Sequence, residues 1–235
     1  PDFQINALFS DGALRSETDL DEDQVQPASL DLRLGRQACR IRASFLPGQG
    51  RSVDEVLADP GILLHQIDLS DKGYVLETGC VYLVALQESL TLPDGISGRA
   101  NPKSSTGRID VFTRVVTNSG TAFDDVPEGY SGPLWLEISP RTFPILVRPG
   151  DRLAQLRLRR GAQGRLMEET VSIDLERGDG APIGWRAKRH AGLIDLRGVG
   201  RHEIADFWEP LQPHRGRLVL DPDEFYILAS REQVS

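Results

Sequence analysis

The chain has 235 residues, 39% of them hydrophobic and 26% charged, with a formal net charge of −8 at pH 7. That length holds one large all-β domain or two smaller ones around a buried core, and the acidity argues against a general nucleic-acid binder, which needs surplus cations for its phosphate contacts. No apolar run approaches the roughly 20 residues that span a bilayer, and the opening PDFQINALFSDG lacks the basic segment and apolar core of a secretion signal, so a cytoplasmic protein without a membrane partner is expected, its first residues, with the initiator Met, missing or removed.

In INALFSDGAL, Ile5, Leu8 and Phe9 recur at helical spacing up to Gly12, which predicts a short helix. The acidic run from Glu17 to Asp23 reads as solvated loop. PASLDLRLG then sets Leu30, Leu32 and Leu34 against Asp31 and Arg33, the period of a half-buried strand ending at Gly35. Residues 50–60, GRSVDEVLADP, predict one or two helical turns before Pro60. From Gly73 the pattern is β: YVLETGCVYLVALQESLTLP, RIDVFTRVVTNSG, GYSGPLWLEISP and FPILVRPGDRLAQLRLRRG follow, broken at Gly, Pro, Asn or Asp. Such spacing predicts a mainly β sandwich or barrel of the jelly-roll sort with a few short helices.

Cations gather from Arg148 to Arg160 and from Arg186 to Arg189, so a local anionic ligand is compatible with the acidic whole. Cys39 and Cys80 belong to no metal-ligand spacing and read as small buried hydrophobes. His65, His190, His202 and His214 form neither HxxxH nor HxE, so no metal ligand set is expected.

The segment from Arg99 to Arg108, RANPKSSTGR, has the composition of a phosphate-binding loop. Ser104 and Ser105 lie between Lys103 and Arg108, beside Thr106, and Gly107 lets a ligand approach the backbone. Hydroxyls, free N–H groups and a guanidinium together satisfy phosphate oxygens. Taken alone, an ordinary polar surface turn has the same composition.

The chain also echoes itself. Residues 74–88, YVLETGCVYLVALQE, align without gaps on residues 218–232, LVLDPDEFYILASRE, and ASLDLRLG (28–35) more loosely on AGLIDLRGVG (191–200). Two amphipathic strand pairs could match by chance. A true repeat makes residues 1–165 a complete β domain and residues 166–235 a connecting segment plus a partial second copy that ends before any counterpart of RANPKSSTGR.

Glu137 sits in the apolar strand GYSGPLWLEI between Leu136 and Ile138, and by alternation shares a face with Trp135. Desolvation there would suit a carboxylate to general acid/base work; an edge-strand Glu facing water is the alternative. KSSTGR, a Gly-Tyr-Ser-Gly turn running into a strand glutamate, and PGDRLAQL, in this order and at these intervals, resemble the dUTPase and dCTP deaminase superfamily, and the doubled layout resembles its long, two-repeat dCTP deaminase branch.

The resemblance implies a distorted dUTPase-like jelly-roll barrel with an incomplete tandem copy. It also implies zinc-independent deamination of dCTP to dUTP, with Glu137 as acid/base, Ser104 and Arg108 as its catalytic partners, and Lys103, Ser105, Thr106 and Gly107 at the triphosphate. Lys103 stands where the family loop usually has Arg, losing the bidentate fork. Thr121 and Ala122 match a Thr-Ala pair whose backbone faces the base, Trp135 and Leu136, which flank Glu137 on its strand, are carried as substrate contacts, and Asp124 or Asp125 replaces an expected basic residue, Asp125 standing as the aspartate that would touch deoxyribose. GWRAKRHAGLIDL resembles a tail that closes over the phosphates, which offers Arg186, Lys188 and His190, with simple surface exposure as the alternative.

Zinc-type nucleobase deaminases hold their metal with His and Cys and use a separate Glu. With no such ligand set here, one buried carboxylate must shuttle the proton, and the only metal expected is Mg²⁺ carried by the triphosphate. The implied partners are dCTP, dUTP, dTTP as an inhibitor, and further copies of the chain in a trimer or pseudo-trimer. Two other functions stay open: a dUTP diphosphatase or bifunctional enzyme using an aspartate of FDDVPEGY, and a non-catalytic nucleotide-binding regulatory module.

Overall fold

The alternating runs become strands of one large, strongly curved sheet. The computed structural model describes residues 2–70, 72–161, 170–176 and 180–232. In chain order the elements are α1 (Asp2–Ser10), β1 (Leu14–Ser16), β2 (Val25–Gln26), β3 (Ser29–Ile41), α2 (Val53–Leu57), β4 (Leu63–Asp68), β5 (Tyr74–Leu76), β6 (Val81–Thr91), β7 (Ile96–Pro102), α3 (Ser104–Gly107), β8 (Val111–Thr117), β9 (Asp125–Val126), β10 (Ser131–Pro140), β11 (Ile145–Val147) and β12 (Arg152–Arg160). After them come β13 (Gly184–Ala187), β14 (Ile194–Asp195), α4 (Ile204–Phe207), β15 (Trp208–Leu211) and β16 (Tyr226–Leu228). The boundary expected at 165 to 166 lies outside the described residues.

The main sheet runs β8-β10-β6-β3-β12-β7-β9, with β1 on β6 and β2 and β4 on β3. The two ends of this path meet at Asp124, which has φ 61°. Its N–H donates to the Val115 carbonyl at 2.9 Å, its carboxylate accepts from the Val115 N–H at 2.8 Å, and its carbonyl accepts from the Ala100 N–H at 2.8 Å. One residue thus bridges β8 and β7 by pairing the N–H and carbonyl of Val115 and the N–H of Ala100, which would otherwise be left unpaired. Burial raises the Asp124 carboxyl above the ordinary aspartate value, and the Val115 bond opposes that shift. The mainly β barrel with a few short helices is the architecture read from the sequence.

Leu30, Leu32 and Leu34 fill the barrel with Val115, Leu134, Leu136 and Ile138. Each such side chain contributes about 1.5–3 kcal/mol by leaving water. A smaller cluster on the outer face joins Cys39, Val53, Leu57, Leu83, Val116 and Trp135. Its α2 starts with a capping box, Ser52 Oγ accepting from the Glu55 N–H while the Glu55 carboxylate accepts from the Ser52 N–H.

Two local expectations change. The first strand does not end at Gly35 but continues to Ile41; Gly35 is there because a Cβ would meet the Ala85 carbonyl at 2.7 Å. Nor is that strand half-buried, for Asp31 and Arg33 are each 2% exposed. The acidic segment covers them: Asp21 pairs with Arg33 and Arg152, and Asp23 with Arg152.

The second unit reproduces one corner of the first. Around β3 lie β4 and β6; around β13 lie β15 and β16, with α2 and α4 in matching chain positions. Arg40 is opposite Tyr82 and His65, and Arg186 is opposite Tyr226 and Glu209. Tyr82 Oη accepts from the Glu77 N–H at 3.1 Å and Tyr226 Oη from the Asp221 N–H at 3.0 Å. Arg40 reaches Glu77 at 3.8 Å and Arg186 reaches Asp221 at 3.7 Å. This latch of Arg, acid and Tyr recurs in the register of the 74–88 and 218–232 alignment, so that echo is structural. The counterpart of β3 is therefore β13, whereas the looser echo at 191–200 forms only the two-residue β14.

That short strand docks the second unit. Ile194 and Asp195 run parallel to Ile145 and Leu146 of β11, and Arg148 holds Asp195 through two bonds of 2.6 and 3.0 Å. Phe143, fully buried, meets the rings of Phe207 and Trp208 at 5.7 and 5.4 Å. The Arg148 guanidinium lowers the Asp195 carboxyl from 3.8 to about 2, helped by the Arg197 N–H. Because the folded value is depressed, this contact stabilises fully above pH 3.8 and is lost as pH falls through about 2. Acid titration followed by tryptophan fluorescence should therefore show a transition in that window, and Asp195→Asn should blunt it. An identical profile in the variant would refute this anchor.

Candidate functional site

RANPKSSTGR leaves β7 at Pro102 and forms the single turn α3. The turn is pinned from inside, since Thr106 Oγ1 donates to the Leu153 carbonyl at 2.8 Å and the Lys103 N–H donates to the same oxygen at 3.0 Å. Pinning leaves Ser104, Ser105 and Arg108 exposed, without side-chain partners among the described residues. A Cβ on Gly107 would meet nothing within 4 Å, so the turn is open to an approaching group. Thr106 itself is 1% exposed and supports the loop rather than facing a ligand with its side chain.

Lys103 departs from the expectation. Its ammonium is paired with buried Asp31, with Arg152 3.9 Å from the same carboxylate, so it does not stand free for a phosphate. The charge answers a buried carboxylate that would otherwise be uncompensated.

Glu137 lies on the outer face of β10, 2% exposed. It is not in a purely apolar surround: Arg114 of β8, directly opposite it, donates to Oε1 from Nε at 3.0 Å and from Nη2 at 2.5 Å. The same guanidinium donates to Ser44 Oγ at 2.7 Å and stacks 3.8 Å from the Phe123 ring centre. Sequence reasoning missed Arg114, Ser44 and Phe123. Alternation of Phe112, Arg114 and Val116 on one face of β8 was the available signal, but which strand pairs with β10 is a tertiary fact.

Trp135 shares this face at 7% exposure, and its Nε1 has no partner among the described residues. It borders an open groove of 850 Å³ lined also by Arg36, Cys39, Asp54 and His65. Leu136 points the other way, fully buried in the barrel core, so its side chain cannot touch a substrate. Thr121 and Ala122 are exposed in the loop between β8 and β9, and Asp125 is 3.7 Å from Arg99.

The expected closing tail is elsewhere. Arg186 is engaged with Glu209 and Asp221 as part of the repeated latch, Lys188 donates to the Ala205 carbonyl, and His190 is exposed in a turn with φ 57°. What faces the loop is the next segment: Ser105 and Thr106 share a cleft of 330 Å³ with Asp195, Gly198, Val199 and His202. No side-chain bond or ion pair joins Glu137 to Ser104 or Arg108 among the described residues; Glu137 is paired with Arg114 instead. Nor are three or more His, Cys, Asp or Glu grouped to hold a metal among them, and no helix there is long and apolar enough to cross a membrane.

The chain matches the 2'-deoxycytidine 5'-triphosphate deaminase N-terminal domain over residues 1–162 and the corresponding C-terminal domain over residues 164–235. It belongs to the dCTP deaminase family. It is 31% identical over 156 residues to a "dCTP deaminase, dUMP-forming" of Thermobifida fusca, covering 66% of this chain and 74% of that one. A protein of the same description from Streptomyces coelicolor is 33% identical over 162 residues, 63% of this chain and 78% of that one. The crystal structure of 2'-deoxycytidine 5'-triphosphate deaminase from Agrobacterium tumefaciens superposes with TM-score 0.92 at 52% identity, covering 98% of this chain and 75% of that one. Both the first barrel and the second unit therefore belong to the family's fold.

Proposed function

We propose that this chain is a dCTP deaminase in which Glu137 moves the proton. The observation that carries this is a carboxylate 2% exposed, held by a guanidinium on a barrel strand of a dCTP deaminase family member. Water adds to C4 of cytosine, N3 takes a proton, and ammonia leaves as dUTP forms. Glu137 accepts the proton from water and returns it to N3, then carries the C4 hydroxyl proton to the amino group as the carbonyl forms and ammonia leaves. Ser104 and Arg108 position the water and the substrate beside Glu137, and Ser105 and the loop backbone take the triphosphate, whose Mg²⁺ keeps several waters and needs few protein ligands. dTTP, offering the same triphosphate, is expected to compete, and the cytoplasm supplies both nucleotides.

Because no side-chain bond or ion pair joins Glu137 to Ser104 or Arg108 among the described residues, we infer a site completed by a second copy, in a trimer or pseudo-trimer. Mixing Ser104→Ala and Glu137→Gln chains, each inactive alone, should restore a fraction of the activity after subunit exchange. No recovery, with exchange demonstrated, refutes the shared site.

A second reading has one support: the Thermobifida and Streptomyces relatives are described as dUMP-forming. Diphosphate would then also leave, with water activated in the segment of Asp124 and Asp125. Incubation with dCTP and Mg²⁺ plus a zinc-selective chelator, following ammonia and diphosphate separately, decides. Ammonia alone supports deamination to dUTP, both products support the dUMP-forming reading, and neither from folded protein refutes the enzymatic proposal.

A further inference from the structure

Across four strands one row reads Cys39, Leu83, Glu137, Arg114. The titratable groups packed around Glu137 are therefore Arg114 from β8, Cys39 beyond Leu83 on β3, and Asp124 at the barrel seam, whose carboxylate is committed to the Val115 N–H. Among the described residues only Arg114 bonds Glu137. It spends two donors on one oxygen, Oε1, while Oε2 carries no hydrogen bond among the described residues.

The guanidinium is itself immobilised, by Phe123 at 3.8 Å, Phe112 at 5.0 Å and Ser44 at 2.7 Å. A planar cation stacked on an aromatic face loses little further freedom on hydrogen bonding. Phe123 belongs to the loop that also carries Thr121 and Ala122, so the same side chain ties that loop to the carboxylate.

We propose that Arg114 is the positioning residue of Glu137: it fixes the carboxylate rotamer through Oε1 and leaves Oε2 as the oxygen that moves the proton in the deamination inferred above. The assignment rests on that reading. Arg114 touches no reacting atom, so its loss should act on turnover rather than on nucleotide capture.

The test compares ammonia release by the full chain with that by Arg114→Gln and Arg114→Lys. For Arg114→Gln, kcat should fall about 10²-fold, the scale of a small misplacement of a reacting group, with KM changed less than about threefold. Arg114→Lys keeps the charge without the fork and should restore part of kcat.

An unchanged kcat in both variants, or a loss of kcat with no advantage of Lys over Gln, overturns the assignment. If Arg114→Gln does not fold, Ser44→Ala and Phe123→Leu loosen the guanidinium with the ion pair in place. Folded and still at parental kcat, those two overturn it as well. A parent chain that releases no ammonia instead overturns the deaminase reading, and the assignment falls with it.

Discussion

Glu137→Gln should abolish ammonia release from dCTP, a loss of about 10²–10⁴-fold or more, while nucleotide binding and folding stay largely intact. The amide has the shape of the carboxylate and its oxygen still accepts from Arg114, 3.0 and 2.5 Å from Oε1 in the parent. It therefore keeps the packing of a site 2% exposed but cannot take a proton from water. Three measurements separate the roles: ammonia release at saturating dCTP, calorimetric binding of dCTP, and thermal stability. Parental turnover in the variant would sink the proposed mechanism. Loss of binding together with turnover would move Glu137 from proton transfer to substrate capture.

The second large effect is structural. Glu88 is fully buried and Arg33 2% exposed. Glu88 Oε1 accepts from Arg33 Nε at 2.9 Å and from Gln24 Nε2 at 2.8 Å, and Oε2 accepts from the Arg33 N–H at 2.8 Å. Arg33 uses its remaining donors on Ser16 Oγ and the carbonyls of Thr18 and Asp19. Burial pushes the Glu88 carboxyl above the ordinary glutamate value, with the bonds from Arg33 and Gln24 pulling the other way.

Glu88→Ala removes the buried partner of the Arg33 guanidinium, leaving it the half-exposed Asp21 at 3.5 Å, and should cost about 3–5 kcal/mol. In a chain of this size that lowers Tm by roughly 6–20 °C. Replacing both partners, Arg33→Met with Glu88→Leu, removes both desolvation costs and should cost much less than Glu88→Ala alone. Chemical denaturation of the three variants checks the order. A double variant no more stable than Glu88→Ala would show that the pair stabilises by more than mutual charge compensation.

These two sites differ in how far the sequence exposes them. Glu137 is legible because a lone carboxylate in GYSGPLWLEI breaks an apolar alternation, and because its distance from KSSTGR follows a family order. Arg33 reads from local alternation as a solvent-facing partner of Leu32 and Leu34. Its burial depends on Glu88, 55 positions away, and on a loop that the acid run alone marks as solvated. The partner of Lys103 is hidden for the same reason, its ammonium being paired with Asp31 on the far side of β12. In the second unit, Arg186 looks like a free cation beside Lys188 and His190, but pairing with β15 and β16 commits it to Glu209 and Asp221.

Periodicity and turn residues along the chain determined the mainly β class, the loop at Ser104 to Arg108, the strand with Glu137 and the true echo of residues 74–88 at 218–232, because strand period and turn chemistry are local properties. Strand order, the seam at Asp124, the assignment of β13 as the second β3, and the guanidinium of Arg114 on Glu137 came only with the tertiary structure. Each of those joins residues remote in sequence, and a charge's partner in a folded chain is set by which strands the core brings side by side.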